Sequence, residues 1–105
     1  MADFMKILQQ AQEMQGKFQS MQADLQKESV TASAGGGMVT VEANGQGTVR
    51  SIKIDPSVVN AADVEMLEDL VLVAVTEAQK KAQDLAQREM GKLTGGMSLP
   101  FKLPF

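Results

Sequence analysis

The side chains able to do chemistry in this chain are lysines, arginines and carboxylates, because its 105 residues include no histidine and no cysteine. The commonest general base, the commonest transition-metal ligand and the thiolate nucleophile are all missing. No catalytic residue, cofactor or metal site is expected, and the chemistry that remains is electrostatic. It is concentrated in the second half of the sequence. Asp63, Glu65, Glu68, Asp69 and Glu77 give one stretch five negative charges, whereas beyond Ala78 the residues Lys80, Lys81, Arg88, Lys92 and Lys102 are opposed only by Asp84 and Glu89. A chain of net charge −3 thus ends in a segment with a local excess of three positive charges. Cations placed along one arm suit a phosphate backbone, which they hold without reading bases.

A plainer account competes with that one. Glu77 with Lys81, and Asp84 with Arg88, are acid-to-base pairs four residues apart. On a solvated helix such pairs are worth only about 0.3–0.5 kcal/mol each, and they would neutralise the cations locally. Lys6 and Lys17 are further candidates for phosphate contact, with Asp3, Glu13 and Asp24 near them in sequence. The chain has no Trp or Tyr, so no stacking platform for single-stranded bases is visible, and no short helix-turn-helix pair occurs. Gly35-Gly36-Gly37 precedes a strand and lacks the Lys-Ser/Thr of a phosphate loop. The neighbouring carboxylates Glu68 and Asp69 would point about 100° apart on a helix, too divergent to share a proton or a metal.

The elements that must position these charges are legible from spacing. Phe4, Ile7, Ala11, Met14, Phe18, Met21 and Leu25 alternate steps of three and four, which predicts a helix from Asp3 to Glu28 with an apolar seam. Ser29–Ala34 reads as a first strand. Val39 and Val41, then Ile52 and Ile54, read as a hairpin whose Asn44-Gly45 supplies the positive φ angles of a tight turn. Val49 falls on the wrong parity, which calls for a bulge near Gly47 or a second apolar face. A second helix is expected to begin at Ala61, capped by Asn60, and to reach Leu93.

The two helices would be about 38 and 45 Å long, against about 30 Å for a small domain, so both must project. The projecting parts are expected to zip together, the first seam meeting Ala78, Ala82, Leu85 and Ala86. Leu70 to Val75 is apolar on every side, more than one small sheet can cover, so Leu70, Val71, Val73, Ala74 and Val75 are expected at a dimer interface. The expected fold is α+β: a long N-terminal helix, a three-stranded antiparallel sheet and a long C-terminal helix, dimeric with protruding helical arms. Residues 1–94 form one domain, and 95–105, with Pro100 and Pro104, read as a flexible tail in which Phe101 and Phe105 are candidates for docking. No stretch approaches the ~20 apolar residues of a membrane span, so a cytoplasmic protein without a membrane partner is expected.

In order along the chain, Gln10-Ala11-Gln12, Met14-Gln15, Met21-Gln22, Gly37-Met38-Val39, Val41, Asn44-Gly45 and Ile54-Asp55-Pro56-Ser57 make a recognisable series. It continues through Met66-Leu67-Glu68-Asp69-Leu70-Val71, Gly96-Met97 and Leu103-Pro104-Phe105. The series resembles the YbaB/EbfC family of nucleoid-associated proteins over nearly the whole chain. The resemblance implies a homodimer with helices protruding like tweezers, binding double-stranded DNA with limited sequence preference and affecting nucleoid organisation or gene expression. It implies no enzyme activity and no small-molecule substrate. Lys80, Lys81, Arg88 and Lys92, with Lys6 and Lys17, are the expected DNA contacts from charge distribution and not from a family signature. A protein-interaction or chaperone-like adaptor, using Met- and Gln-rich arms and the Pro/Phe tail, is the alternative.

Overall fold

The computed structural model describes residues 2–94, in the order α1 (Ala2–Lys27), β1 (Ser29–Ala34), β2 (Val39–Asn44), β3 (Val49–Ile54), a 3-10 turn (Pro56–Val58) and α2 (Val64–Thr94). The segment 95–105, expected to be a tail, lies outside the described residues. The strands form one antiparallel meander ordered β1-β2-β3. Its core is Ala32, Ala34, Val39, Val41 and Ala43 from the sheet against Ala74 and Ala78 from α2. Alanines four residues apart let the helix axis approach the pleated surface closely, and Leu67, Leu70, Val71 and Val75 close the flanks.

The parity problem of Val49 is resolved by a register shift. Glu42 is paired with Ser51 while Ala43 is paired with Val49, which leaves Arg50 as the bulged residue. Val49 then joins the apolar face, one residue earlier than simple alternation back from Ile54 and Ile52 predicts. The turn itself differs from the expected two-residue type. Neither Asn44 nor Gly45 has positive φ; Gly47 takes that conformation, at +87°. The Gly47 N–H donates to the Asn44 carbonyl at 3.0 Å, and the buried Asn44 side chain accepts from the N–H groups of Gln46 and Thr48 at 2.9 and 3.0 Å. This is a longer loop organised by an Asn side chain, with glycine at its left-handed position.

Gly45 is required for another reason: it touches α1. Its N–H donates to the Leu25 carbonyl at 2.7 Å, and a Cβ there would stand 2.7 Å from that oxygen and 2.9 Å from Leu25 Cδ2. Gln46 Nε2 donates to the Gln22 carbonyl at 3.1 Å, and the Arg50 guanidinium donates to the Gln26 carbonyl. The last turn of a helix has carbonyls without intrahelical partners. The hairpin donates to two of them here, Leu25 from Gly45 and Gln26 from Arg50, and so acts as a C-terminal cap that fixes α1 against the body.

At the start of α2 the cap is Asp63, not Asn60: the Met66 N–H donates to Asp63 Oδ1 at 3.2 Å. Asn60 instead accepts from the Ala62 N–H at 3.0 Å in the preceding turn. Asn60 therefore organises the approach, and the helix begins three residues later than its side chain suggested. Just upstream, the Ser57 N–H at 2.9 Å holds the Asp55 carboxyl below its ordinary range by favouring its charged form.

The expected zipping of the two helices occurs only in part. Of the α1 seam, Met21 and Leu25 are buried and Met14 is half-buried, whereas Phe4 and Ile7 are each 63% exposed. The reason is stagger. Gln79 of α2 reaches the Gly47 carbonyl beside the hairpin loop, while Glu89, Lys92 and Leu93 border the same cleft as Lys17, Ser20, Met21 and Asp24. The helices therefore run antiparallel, and α2 at Thr94 is level with the middle of α1. Roughly 15 residues of α1, about 22 Å, extend past it. The molecule measures 72 × 24 × 16 Å.

Candidate nucleic-acid interface

The sequence assigned four cations to α2, and the helix separates them into three and one. At about 100° per residue, Lys81, Arg88 and Lys92 fall within about 40° of one line, while Lys80 points about 100° away from Lys81. All four are exposed. Lys81 and Arg88 border a groove between α2 and β1, together with Val30, Thr31, Asp84 and Gln87. Thr31 and Gln87 are polar groups that charge reasoning overlooked; only the packing of α2 on β1 could have revealed them.

The local acid-to-base pairs do not form. Among the described residues the one ion pair within 4 Å is Lys92 Nζ with Glu89 Oε1, at 3.2 Å. Lys81 Nζ instead donates to the Thr31 carbonyl at 2.8 Å. This contact fixes the ammonium at the groove wall and leaves its charge without a carboxylate partner. Arg88 likewise stands free of any carboxylate within 4 Å among the described residues. Two cations and one carboxylate thus line the groove.

The neighbouring cleft between α1 and α2 differs. Lys17, Lys27 and Lys92 line it, matched by Asp24, Glu28 and Glu89. Lys17 is thereby brought into a balanced environment across from Lys92. Lys6 lies about 16 Å farther out along α1, on the stretch that α2 does not accompany. Arg50, a cation on the hairpin, is engaged in capping α1. The structure brings Lys81 and Arg88 together at one groove, sets Lys17 and Lys92 together at another cleft, and leaves Lys80 and Lys6 apart.

The apolar run of α2 is also divided. Ala74 is fully buried against the sheet within the chain, so it offers no surface to a partner, and Leu70, Val71 and Val75 are half-buried around the same core. Leu72 and Val73 face outward. On the sheet, Ile52 and Ile54 pair with Val41 and Val39, on the face that α2 covers, yet they remain 44% and 39% exposed. The helix lies over β1 and β2 and does not reach far enough to cover them.

A three-stranded meander with one long helix across its face and another capped by its hairpin defines an elongated α+β protein with a cationic groove. The chain belongs to the YbaB/EbfC DNA-binding family, whose sequence model matches residues 1–97. It is 53% identical over 103 residues to a nucleoid-associated protein of Gemmatimonas aurantiaca, covering 98% of this chain and 99% of that one. It is 55% identical over 101 residues to a nucleoid-associated protein of Thermodesulfovibrio yellowstonii, covering 96% and 85%. The crystal structure of an uncharacterized protein, HP0035, from Helicobacter pylori shares the fold with a TM-score of 0.80 at 23% identity, over 88% of this chain and 97% of that one. No helix among the described residues is long and apolar enough to cross a membrane.

Proposed function

We propose that this protein is a nucleoid-associated homodimer that binds double-stranded DNA through its phosphates with little sequence preference. The observation that carries the reading is the line of Lys81, Arg88 and Lys92 on α2, two of whose members have no carboxylate within 4 Å among the described residues. Cations left unneutralised on a helix face release DNA counterions on contact, and that supplies affinity even to a chain of net charge −3. Low selectivity follows from the inventory: phosphate contacts position a protein, and this chain has no base-stacking Trp or Tyr. Membership of a DNA-binding family and the names of its relatives support the same reading and a place on the nucleoid.

Dimerisation is supported by what one chain leaves uncovered. Ile52, Ile54, Leu72 and Val73 are apolar and about half open, and burying the remainder of each against a second copy would contribute about half of the ~1.5–3 kcal/mol that full burial of such a side chain brings. A dimer also doubles the cationic lines, so that one duplex meets both. The test is a gel shift with two unrelated duplexes. Both should shift at similar protein concentration, and reversing Lys80, Lys81, Arg88 and Lys92 to Glu should abolish both shifts while light scattering still gives the dimer mass. Undiminished shifts by that variant would contradict the assignment.

A further inference from the structure

The outer half of α1 carries Phe4, Ile7, Ala11 and Met14 along one line, with Leu8 at its flank. Phe4 and Ile7 are mostly exposed, Leu8 and Ala11 are exposed, and only Met14 is half-buried. Alternating steps of three and four are the spacing of a seam that packs on another helix. The open length is bounded as well. α2 accompanies the inner half of α1 and stops at Thr94, where Leu93 is level with Lys17 and Met21, so about 15 residues of α1 lie beyond it. An occupant that continues the line of α2 is therefore a helix of about 15 residues, antiparallel to α1 and apolar along one stripe.

We propose that the occupant is the outer half of α1 from a second copy, the two segments pairing antiparallel about a two-fold axis beside Gln9. The seam is self-complementary in that register. Phe4 meets Met14 of the second copy and Ile7 meets Ala11, so each layer sets a larger side chain against a smaller one. Leu8 meets its own counterpart on one flank. On the other, Asp3 meets Lys17, an opposite-charge pair that the symmetry forms twice. The register one heptad along, with Phe4 on Met21, is excluded on two counts: it sets Asp3 against Asp24, and it drives each tip into the space beside Met21 that α2 already covers. Paired about Gln9, the two Leu25 residues lie about 48 Å apart, so the bodies do not touch. The contact is therefore separate from the dimer proposed through Ile52, Ile54, Leu72 and Val73, and a chain using both joins dimers arm to arm into an open array. Only the unit being joined, the dimer, rests on that reading.

The chain has no cysteine, so Gln10→Cys and, separately, Gln19→Cys each carry one spin label per copy. Antiparallel helices separate by about 3 Å along the axis for each residue moved from the two-fold, so pulsed electron resonance on the concentrated full chain without DNA should give a short distance at Gln10 and one longer by roughly 15 Å at Gln19. Ala11→Glu, an exposed change, should erase the short distance with unchanged helicity. Asp3→Lys should weaken self-association several-fold, and adding Lys17→Asp should restore it. A shorter distance at Gln19 than at Gln10, a short distance that survives Ala11→Glu, or a charge swap that restores nothing would overturn the proposal. Light scattering separates it from the dimer reading: in Ala11→Glu the larger species should fall to the dimer mass, and a fall to the monomer mass would uphold the arm pairing while contradicting the body-to-body dimer.

Discussion

The body of this molecule and its arm both carry apolar residues at regular helical spacing, yet only the body buries them. On α2, small alanines at 74, 78 and 82 are almost completely inaccessible. On α1, Phe4 and Ile7 are far larger and remain mostly exposed. The difference teaches that burial here is decided by what stands opposite and how closely it can approach. A sheet faces Ala74 and Ala78, and their small size brings the helix down onto it; beyond Thr94 nothing described faces the phenylalanine. The boundary between the two regimes is Leu25, which is 2% exposed and held under the hairpin loop.

Substitutions on either side of that boundary should have very different costs. Leu25→Ala removes a buried side chain at the joint and is expected to destabilise the fold by about 2–5 kcal/mol in chemical denaturation. Ile7→Ser, on the same seam, is expected to shift global unfolding by no more than about 0.5 kcal/mol, as surface changes usually do. Equal costs would erase the distinction between body and arm. Gly45→Ala probes the joint from the other side. An added methyl would meet the Leu25 carbonyl oxygen at 2.7 Å, so either the loop or α1 must move. A loss of about 1–3 kcal/mol is expected, together with faster amide exchange in the last turn of α1. Protection unchanged in that turn would show that the hairpin is not what holds the helix.

Much of the body could be read from the sequence because its signals are local. The strand Ser29–Ala34, the alternation of Val39 with Val41, and the long periodic helices each carry their own pattern. Val49 announced an irregularity, but its location at Arg50 depends on which residues β2 offers for pairing. The cap of α2 was displaced for a similar reason: Asn60 and Asp63 are both good caps, and Asn60 is taken up by the turn before the helix. The arm was least legible. A seam with alternating spacing demands an apolar partner without saying which one, and α2 meets only its inner end because the β2–β3 loop sets the stagger. The cations could be listed from sequence, but their partners could not. Four-residue spacing suggested Glu77 for Lys81, whereas the packing of α2 on β1 puts the Thr31 carbonyl within reach.

That last contrast leads to the most direct test of the account, which is the salt dependence of duplex binding for the natural chain and for Lys81→Gln/Arg88→Gln/Lys92→Gln. Each phosphate contact contributes about 0.9 to the slope of log Kobs against log salt. The natural chain is predicted to lose affinity steeply as salt rises, and the triple variant, with unchanged mass in solution and unfolding midpoint, to bind more weakly with a shallower slope. The same slope and the same affinity in both proteins would contradict the claim that this line of α2 holds DNA.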